Sequence, residues 1–326
     1  MLMRHFCTYF DSNYLLRGIT LYRSLAEHCK KPFRFYALCL DEDAFNALTK
    51  LGEENIVPIE LENVEQWDNE LLAAKGNRSR IEYYFTLSPI LPLYVLEHFD
   101  VDIVTYLDAD LMFFSGPDPI YEELGDASIF VTEHRFSEKL KESIKYGRFN
   151  VQCQAFRNDE TGLKCLRRWR KQCLEWCYDR LENGKFADQK YLEEWPELYG
   201  DSLVISQHPG IGVAPWNILS LAIRSQEGDI TVDSKPLVFY HFAGFSLVSR
   251  FWLITGAASG VHVRQHAPLF RRYASAMQET HAMLQNHGVA TCMYGKTRYV
   301  AKRWKSLTLA LLRGGLLRAP FTSVSA

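Results

Sequence analysis

Residues 104–114 read Val-Thr-Tyr-Leu-Asp-Ala-Asp-Leu-Met-Phe-Phe, so two carboxylates one residue apart interrupt an apolar run. Such a run is typical of a buried strand in a mixed or parallel sheet. Burying two unpaired carboxylates is costly. The cost is relieved if the strand ends at Leu107 and if Asp108 and Asp110 emerge at its tip around a divalent cation. The alternative is that one Asp caps the next turn and the other lies in solvent.

The composition is that of an ordinary globular protein. The chain has 326 residues, of which 47% are hydrophobic and 23% are charged, and its net charge is -2. The length allows one large domain with an appendage or two small domains, and the net charge argues against nucleic acid as a partner. The eight Cys residues lack the paired spacing of a zinc site. With no signal peptide visible, we expect a cytoplasmic protein with reduced thiols.

The first third of the chain alternates predicted strands and helices. Strands are predicted over 5–10, 33–40 and 55–60, with helices after the first two. This alternation is typical of a doubly wound α/β fold. Ligands of such sheets bind beyond the carboxyl ends of the strands. We therefore expect the segment from Thr8 to Asn13 to lie at the same edge as Asp108 and Asp110.

Three further segments carry candidate site residues. Arg78 and Arg80 precede a helix predicted over 82–97, and they could neutralise a diphosphate or belong to a solvated basic loop. Asp188 and Gln189 stand where a helix begins, and capping by Asp188 is the structural alternative. His241 ends a strand predicted over 237–245. A lone histidine there is more often a satisfied core or edge residue than a metal ligand.

The order and spacing of these motifs resemble a known group of enzymes. Leu107-Asp108-Ala109-Asp110, then Phe186-Ala187-Asp188-Gln189 and Tyr240-His241-Phe242-Ala243-Gly244, are similar to the GT-A glycosyltransferases. Among these they resemble family 8, which includes glycogenin-like enzymes and lipopolysaccharide glycosyltransferases. The resemblance covers residues 5–245 and implies a Rossmann-like mixed sheet flanked by helices. It places a GT-A catalytic domain at 1–262, with a nucleotide and metal half (1–150) and an acceptor half (151–262), and a helical basic tail at 263–326.

The resemblance also implies roles for single residues. Asp108, Asp110 and His241 would hold Mn²⁺ (or Mg²⁺) against the nucleotide diphosphate, and Asp188 and Gln189 would face the sugar and the reacting carbon. The residues implied to contact the rest of the donor are Thr8, Asp11, Asn13, Tyr14 and Gly244.

The chain departs from the family in two places. The family's arginine in the helix before the metal strand is missing from 83–86, so Arg78 or Arg80 would substitute for it. The family's Lys-Pro-Trp after the histidine loop is also absent. Residues 245–248 stand there instead, with Arg250 nearby, so no lysine is predicted to touch the diphosphate.

The function implied is that of a metal-dependent glycosyltransferase of the hexosyltransferase type. It would move a sugar from a nucleotide-diphosphate sugar, a UDP-sugar by resemblance, to a glycan or lipid-linked acceptor in the synthesis of bacterial surface polysaccharide or lipopolysaccharide. A cation can stabilise the leaving diphosphate as a Lewis acid. The resemblance favours retention, which spacing alone does not decide.

Other classes of protein are also considered. An aspartyl-phosphate phosphatase has an Asp-x-Asp, but after its first strand, whereas Asp108 lies far along this chain. A sugar nucleotidyltransferase needs a glycine-rich basic loop where residues 11–14 stand. A catalytically silent sugar-nucleotide-binding module remains as the main alternative.

The C-terminal segment 296–318 is basic. Several apolar residues in it fall near one helical face: Val300, Trp304, Leu307, Leu311 and Leu312. The pattern predicts a basic amphipathic helix on an anionic membrane surface, which would make the protein peripheral on the inner face of the membrane and its acceptor lipid-linked. The alternatives are a helix packed on the catalytic domain and a nucleic-acid patch. The basic residues are Lys296, Arg298, Lys302, Arg303, Lys305, Arg313 and Arg318.

Overall fold

A computed structural model describes residues 3–226, 228–249, 252–255, 266–291, 293 and 316–318. The strands, numbered along the chain, are β1 (Arg4–Phe10), β2 (Phe33–Cys39), β3 (Ile56–Glu60), β4 (Ile103–Leu107), β5 (Leu111–Phe113), β6 (Ile129–Glu133), β7 (Phe149–Arg157), β8 (Leu203–Ile205), β9 (Ile223–Gln226), β10 (Asp229–Val232), β11 (Lys235–Pro236), β12 (Phe239–His241), β13 (Phe245–Ser249), β14 (Trp252–Thr255) and β15 (Leu316–Arg318). The helices are α1 (Leu15–His28), α2 (Glu42–Leu51), α3 (Leu61–Trp67), α4 (Asn69–Lys75), α5 (Arg80–His98), α6 (Asp118–Leu124), α7 (Glu160–Glu175), α8 (Trp195–Tyr199) and α9 (Ala267–Asn286). Short 3₁₀ helices lie at Glu138–Tyr146, Gln189–Glu194, Gly200–Ser202 and Ile218–Ser220.

The central sheet is mixed, with seven strands in the order β3-β2-β1-β4-β7-β6-β8. Strands β3, β2, β1 and β4 are parallel to one another, whereas β7 is antiparallel to both β4 and β6. The predicted α/β fold with a mixed sheet is therefore confirmed. The parallel half comes from the regular alternation of strands and helices, and β7 reverses the direction where that alternation ends.

Helices cover both faces of this sheet. Buried side chains of α5 and α7 pack on one face, and those of α1, α2 and α9 form a core on the other face. Gly18 allows α1 to lie directly on β1, because a Cβ atom there would come within 2.3 Å of the Phe10 ring. Helix α5 continues through Pro89 and Pro92 and starts with a capping box between Ser79 and Glu82.

A small second sheet connects the two parts of the chain that carry the candidate metal ligands. Strand β4 ends at Leu107, as the sequence predicts, and β5 begins at Leu111 after the two carboxylates. Strand β5 then pairs antiparallel with β12, which places His241 opposite Leu111. This pairing fixes the histidine beside Asp110, although the two residues are far apart in the sequence.

The described C-terminal residues pack on the same core. The Phe242 and Tyr273 rings stack with centroids 3.7 Å apart, and Arg23 of α1 donates to the Thr280 hydroxyl of α9 at 2.9 Å. Strand β15 pairs with β14, with Leu317 opposite Leu253.

The helix predicted over 296–318 is therefore wrong for 316–318. Leu317 is buried, and its pairing with β14 gives that leucine an apolar neighbour without a helix. The other residues of the predicted amphipathic helix, 296–315, lie outside the described residues. Within the described part of the chain, no helix combines the length and the apolar character needed to cross a lipid bilayer.

Candidate metal and donor site

Asp108, Asp110 and His241 form a cluster at the carboxyl edge of the central sheet. One ligand atom from each lies within 4.8 Å of the others, as the spacing around a single metal ion requires. His241 Nε2 is 3.0 Å from Asp110 Oδ1 and 3.7 Å from Asp108 Oδ2. Their side chains are 28% (Asp108), 13% (Asp110) and 9% (His241) exposed, so the cluster is recessed but open toward Asp108.

Backbone hydrogen bonds hold the cluster from three sides. The Asp108 N–H donates to the Gln152 carbonyl at 2.9 Å, and the Phe242 N–H donates to the Asp110 carbonyl at 2.9 Å. The His241 N–H donates to the Val213 carbonyl at 2.9 Å. The three side chains therefore stand on strand ends with little freedom to move apart.

The charges of the cluster are incompletely balanced. Burial and the Asp110 charge raise the pKa of Asp108, although the His241 ring opposes them. Burial also acts to raise the pKa of Asp110, but His241 and the Arg17 guanidinium outweigh it and lower the pKa. Burial acts to lower the pKa of His241, and the two carboxylates outweigh it and raise the pKa. Two carboxylates thus share one imidazole, and a divalent cation would supply the missing positive charge.

The ligand atoms of the cluster suit a divalent cation. Two carboxylate oxygens and one imidazole nitrogen suit Mn²⁺ well, and the carboxylates also suit Mg²⁺. Three protein ligands leave open coordination positions, which both ions commonly fill with water and substrate phosphates. The capping alternative for Asp108 and Asp110 does not account for a histidine placed between them.

Side chains that the sequence analysis did not assign to the site support the cluster. The Tyr106 hydroxyl donates to Asp108 Oδ1 at 3.0 Å, and His241 Nδ1 pairs with Gln152 Oε1 at 2.9 Å. The Trp216 ring meets the His241 ring edge to face at 5.2 Å. A signal for Gln152 was present in the sequence, because Asn150, Gln152 and Gln154 alternate within the buried strand β7.

The segment after β1 lies at the same edge of the sheet. The Asp11 carboxylate accepts from the backbone N–H of Asn13 at 3.0 Å and of Tyr14 at 3.1 Å, and it pairs with the Arg80 guanidinium. Thr8 is buried in β1, and its hydroxyl has no hydrogen-bond partner among the described residues. Asp11 thus orders the loop and brings Arg80 to this edge.

Arg17 is a cationic group near the cluster, and Gly244 lies in the loop that follows His241. Arg17 of α1 stands over the Tyr14 ring at 4.4 Å, donates to the Phe245 carbonyl at 2.7 Å, and is near enough to Asp110 to lower the pKa of that carboxyl. Gly244 is exposed and has φ +70°, a left-handed conformation that favours glycine. Arg250 lies outside the described residues. Sequence reasoning missed Arg17, since an arginine on an amphipathic helix that also carries Arg23 and Glu27 has no distinctive signal.

Arg78 lies elsewhere, at the C-terminus of α7. Its guanidinium donates to the carbonyls of Cys173 at 2.7 Å, Leu174 at 2.8 Å and Cys177 at 3.3 Å. These carbonyls are groups that a helix end leaves without partners. Arg78 therefore has a structural role at the end of α7, whereas Arg80 pairs with Asp11; a diphosphate contact of either arginine stays a prediction.

Replacing Arg78 by methionine should lower stability without changing donor binding. Because several charge-assisted hydrogen bonds to the end of α7 are lost, we expect a decrease of about 1.5–3 kcal/mol in the free energy of unfolding. Urea unfolding measures this, and nucleotide binding at saturating Mn²⁺ gives the comparison. Arg80→Met is the matched variant and should show the opposite pattern, with weaker nucleotide binding. A large loss of nucleotide affinity in a well-folded Arg78→Met protein would contradict the assignment.

Asp188 lies near the cluster, since the Asp108 charge contributes to raising its pKa, and Gln189 follows it in the chain. Asp188 is buried, and its side chain does not cap the 3₁₀ helix Gln189–Glu194, so the capping alternative is wrong. Burial raises its pKa to about 7, with a further contribution from the Asp108 charge and an opposing one from the Ser88 hydroxyl. Gln189 Nε2 donates to the Tyr146 carbonyl at 3.0 Å, so the amide is anchored through its nitrogen.

Comparison with solved structures defines the class of fold. The galactosyltransferase LgtC, solved in complex with donor and acceptor sugar analogs, superposes with a TM-score of 0.55 at 17% identity over 91% of this chain and 99% of LgtC. The glycosyltransferase GlyE of Streptococcus pneumoniae TIGR4 gives a TM-score of 0.50 at 14% identity over 91% of this chain and 66% of GlyE. Together with the mixed sheet and its flanking helices, these similarities define a GT-A fold.

Sequence comparison gives the family. Uncharacterized protein YfnD of Bacillus subtilis (strain 168) is 33% identical over 250 residues, which cover 76% of this chain and 79% of YfnD. Uncharacterized protein YfnF of the same strain is 33% identical over 256 residues, covering 75% of this chain and 82% of YfnF. The chain therefore belongs to the family of YfnD and YfnF. No protein-family model matches it.

Proposed function

We propose that the protein is a metal-dependent glycosyltransferase of the family 8 type. It transfers a hexose from a UDP-sugar to a glycan or lipid-linked acceptor, with retention, in the synthesis of bacterial surface polysaccharide or lipopolysaccharide. The observation that carries the proposal is the cluster of Asp108, Asp110 and His241 at the sheet edge. The Asp11 loop lies at the same edge of the sheet, and Asp188 is close enough to Asp108 for that charge to raise its pKa, so groups for the nucleoside and for the sugar lie near the cluster.

The donor half of the site would hold a nucleotide diphosphate. Asp108, Asp110 and His241 would bind Mn²⁺ or Mg²⁺, which supplies Lewis-acid stabilisation of the leaving diphosphate. The Asp11 loop, with Thr8, Asn13 and Tyr14, supplies polar groups for the nucleoside. Arg17 and Arg80 add positive charge around the diphosphate, and Arg17 lies at the loop where the family's lysine is absent. Gly244 allows that loop to approach closely.

The acceptor half would orient the transferred sugar. Because the pKa of Asp188 is near 7, its carboxyl can donate or accept a hydrogen bond at a sugar hydroxyl near neutral pH. Gln189 is anchored through its Nε2 to the Tyr146 carbonyl, so its Oε1 is the end available to the reacting carbon. This division assigns 1–150 to the nucleotide and metal and 151–262 to the acceptor, except that His241 and Gly244 return from the second part to the donor half.

The segment from 296 to 315 is proposed to bind an anionic membrane, which would bring a lipid-linked acceptor to the site. The support is its six basic residues without an acidic one. Each basic residue near an anionic leaflet contributes about 1 kcal/mol. Full-length protein should therefore float with phosphatidylglycerol liposomes, and the triple variant Lys302→Gln, Arg303→Gln, Lys305→Gln should float less. Equal flotation of the two would remove this part of the proposal.

A panel of sugar nucleotides tests the central proposal. We expect at least one UDP-sugar to be hydrolysed slowly in Mn²⁺ without an acceptor, releasing UDP, and to be untouched when EDTA is present. A coupled assay for nucleoside diphosphate measures the release. A silent binding module would shift the melting temperature with the same nucleotides but release no UDP. An aspartyl-phosphate phosphatase would instead release inorganic phosphate.

A further inference from the structure

We infer that Gln152 is the positioning residue that presents His241 Nε2 to the metal ion. The inference rests on the proposed metal site and goes beyond it, because Gln152 is not one of the three ligand residues. Gln152 lies on β7, and its Oε1 is 2.9 Å from His241 Nδ1, on the opposite side of the ring from Asp110. The two residues are 89 positions apart in the sequence.

The chemistry of a neutral imidazole makes this contact necessary. A ring that binds a cation through Nε2 keeps its single proton on Nδ1, and that N–H needs an acceptor when it is buried. When no ion is bound, Asp110 Oδ1 lies 3.0 Å from Nε2 and favours a proton on Nε2 rather than on Nδ1. Gln152 Oε1 is the hydrogen-bond acceptor at Nδ1 among the described residues. Gln152 therefore holds the ring in the tautomer that a cation needs.

The surroundings of Gln152 fix its own position. Its side chain is fully buried, its backbone N–H donates to Asn150 Oδ1 at 2.9 Å, and its carbonyl accepts from the Asp108 N–H. The backbone of Gln152 is thus attached to one carboxylate ligand while its side chain holds the histidine. Gly212 packs closely on the amide, since a Cβ atom there would lie 3.3 Å from Gln152 Nε2. The amide has little room to rotate away from His241.

Strand β7 also provides a matched control. Gln154 lies two positions further along the same face, is fully buried as well, and has no hydrogen-bond partner for its amide among the described residues. A change at Gln154 alters a buried glutamine of the same strand without touching His241. Comparing substitutions at Gln152 and Gln154 therefore separates the loss of the contact with His241 from a general disturbance of β7.

Mn²⁺ affinity, followed by electron paramagnetic resonance of the free ion, tests the inference without any substrate. We expect Gln152→Leu to weaken Mn²⁺ binding by about 10- to 100-fold, the range for the loss of an outer partner of a metal-bound histidine. Gln152→Glu keeps an acceptor and should bind at least as tightly as the unchanged protein. Gln154→Leu should bind with unchanged affinity. If a folded Gln152→Leu protein binds Mn²⁺ as tightly as the unchanged protein, the inference about Gln152 is wrong but the proposed function stands. If the unchanged protein binds no Mn²⁺, both the inference and the proposed function are wrong.

A second measurement applies even if Gln152→Leu does not fold. In unchanged protein labelled with ¹⁵N-histidine and saturated with Mg²⁺, the His241 proton should reside on Nδ1 and exchange slowly with solvent. A proton on Nε2 in the Mg²⁺-saturated protein would overturn the inference. The slow exchange of that proton reports directly on the hydrogen bond that Gln152 is proposed to accept.

Discussion

Asp110→Asn should abolish the release of UDP from the donor sugar. Asp110 is the carboxylate nearest His241, at 3.0 Å, and it is the less exposed of the two acids. An amide in its place removes one negative charge and one oxygen ligand, so the cation is lost or misplaced. The leaving diphosphate then lacks its main stabilisation, and we expect turnover to fall on the order of 10³-fold. Initial rates of UDP release at saturating Mn²⁺ measure the change.

The control for this experiment is Asp126→Asn. Asp126 is exposed, and it lies on the turn between α6 and β6, away from the cluster. The same change of charge there should leave turnover and Mn²⁺ affinity unaffected. Full activity of Asp110→Asn, with stability equal to that of the Asp126→Asn protein, would disprove the assigned metal site.

Asp188→Asn should stabilise the metal-free protein at high pH and have little effect at low pH. The pKa of Asp188 is raised from 3.8 to about 7 by burial, so the folded state disfavours the ionised carboxyl. For a carboxyl whose folded pKa is raised, the associated stability is fully present below the unfolded pKa and is lost as the pH rises through the folded pKa. The unchanged protein should therefore lose stability between pH 4 and pH 7 through this group, and asparagine cannot ionise.

The expected difference is large. Three pKa units at about 1.4 kcal/mol each give on the order of 4 kcal/mol in the free energy of unfolding between the two proteins at pH 8. Urea unfolding in EDTA at pH 4.5 and pH 8 measures it, with Asp126→Asn as a variant whose difference from the unchanged protein should not depend on pH. A constant difference between the Asp188→Asn and unchanged proteins across this range would show that Asp188 is not held as a buried acid.

The sequence predicted the parts of the site that depend on local pattern. The apolar run before Asp108 predicted a strand ending at Leu107, and the alternation of strands and helices predicted the α/β fold, whereas the mixed sheet came from the resemblance. It also pointed to His241, although only through the resemblance. A lone histidine after a strand has no local property that distinguishes a ligand from a core residue.

The remaining parts depend on contacts between distant residues. Strands β5 and β12 each have three residues, and 130 positions separate the paired residues Leu111 and His241, so neither strand shows a periodicity that predicts the pairing. Arg78 and Arg80 are two arginines of the same polar segment, and the sequence does not distinguish them. Their roles differ because Arg78 lies at the C-terminal end of α7 in the folded chain. The contact between Gln152 and His241 likewise depends on the packing of β7 against β12, which no pattern in either strand specifies.

The pairing of β5 with β12 has a consequence for folding as well as for binding. Asp108 and Asp110 precede β5, and His241 is the last residue of β12. A cation bound among these three residues therefore cross-links two segments that are far apart in the unfolded chain. Its binding free energy then adds to that of folding. Chelation should therefore loosen the ladder before it affects the central sheet, with faster amide hydrogen exchange at 111–113 and 239–241.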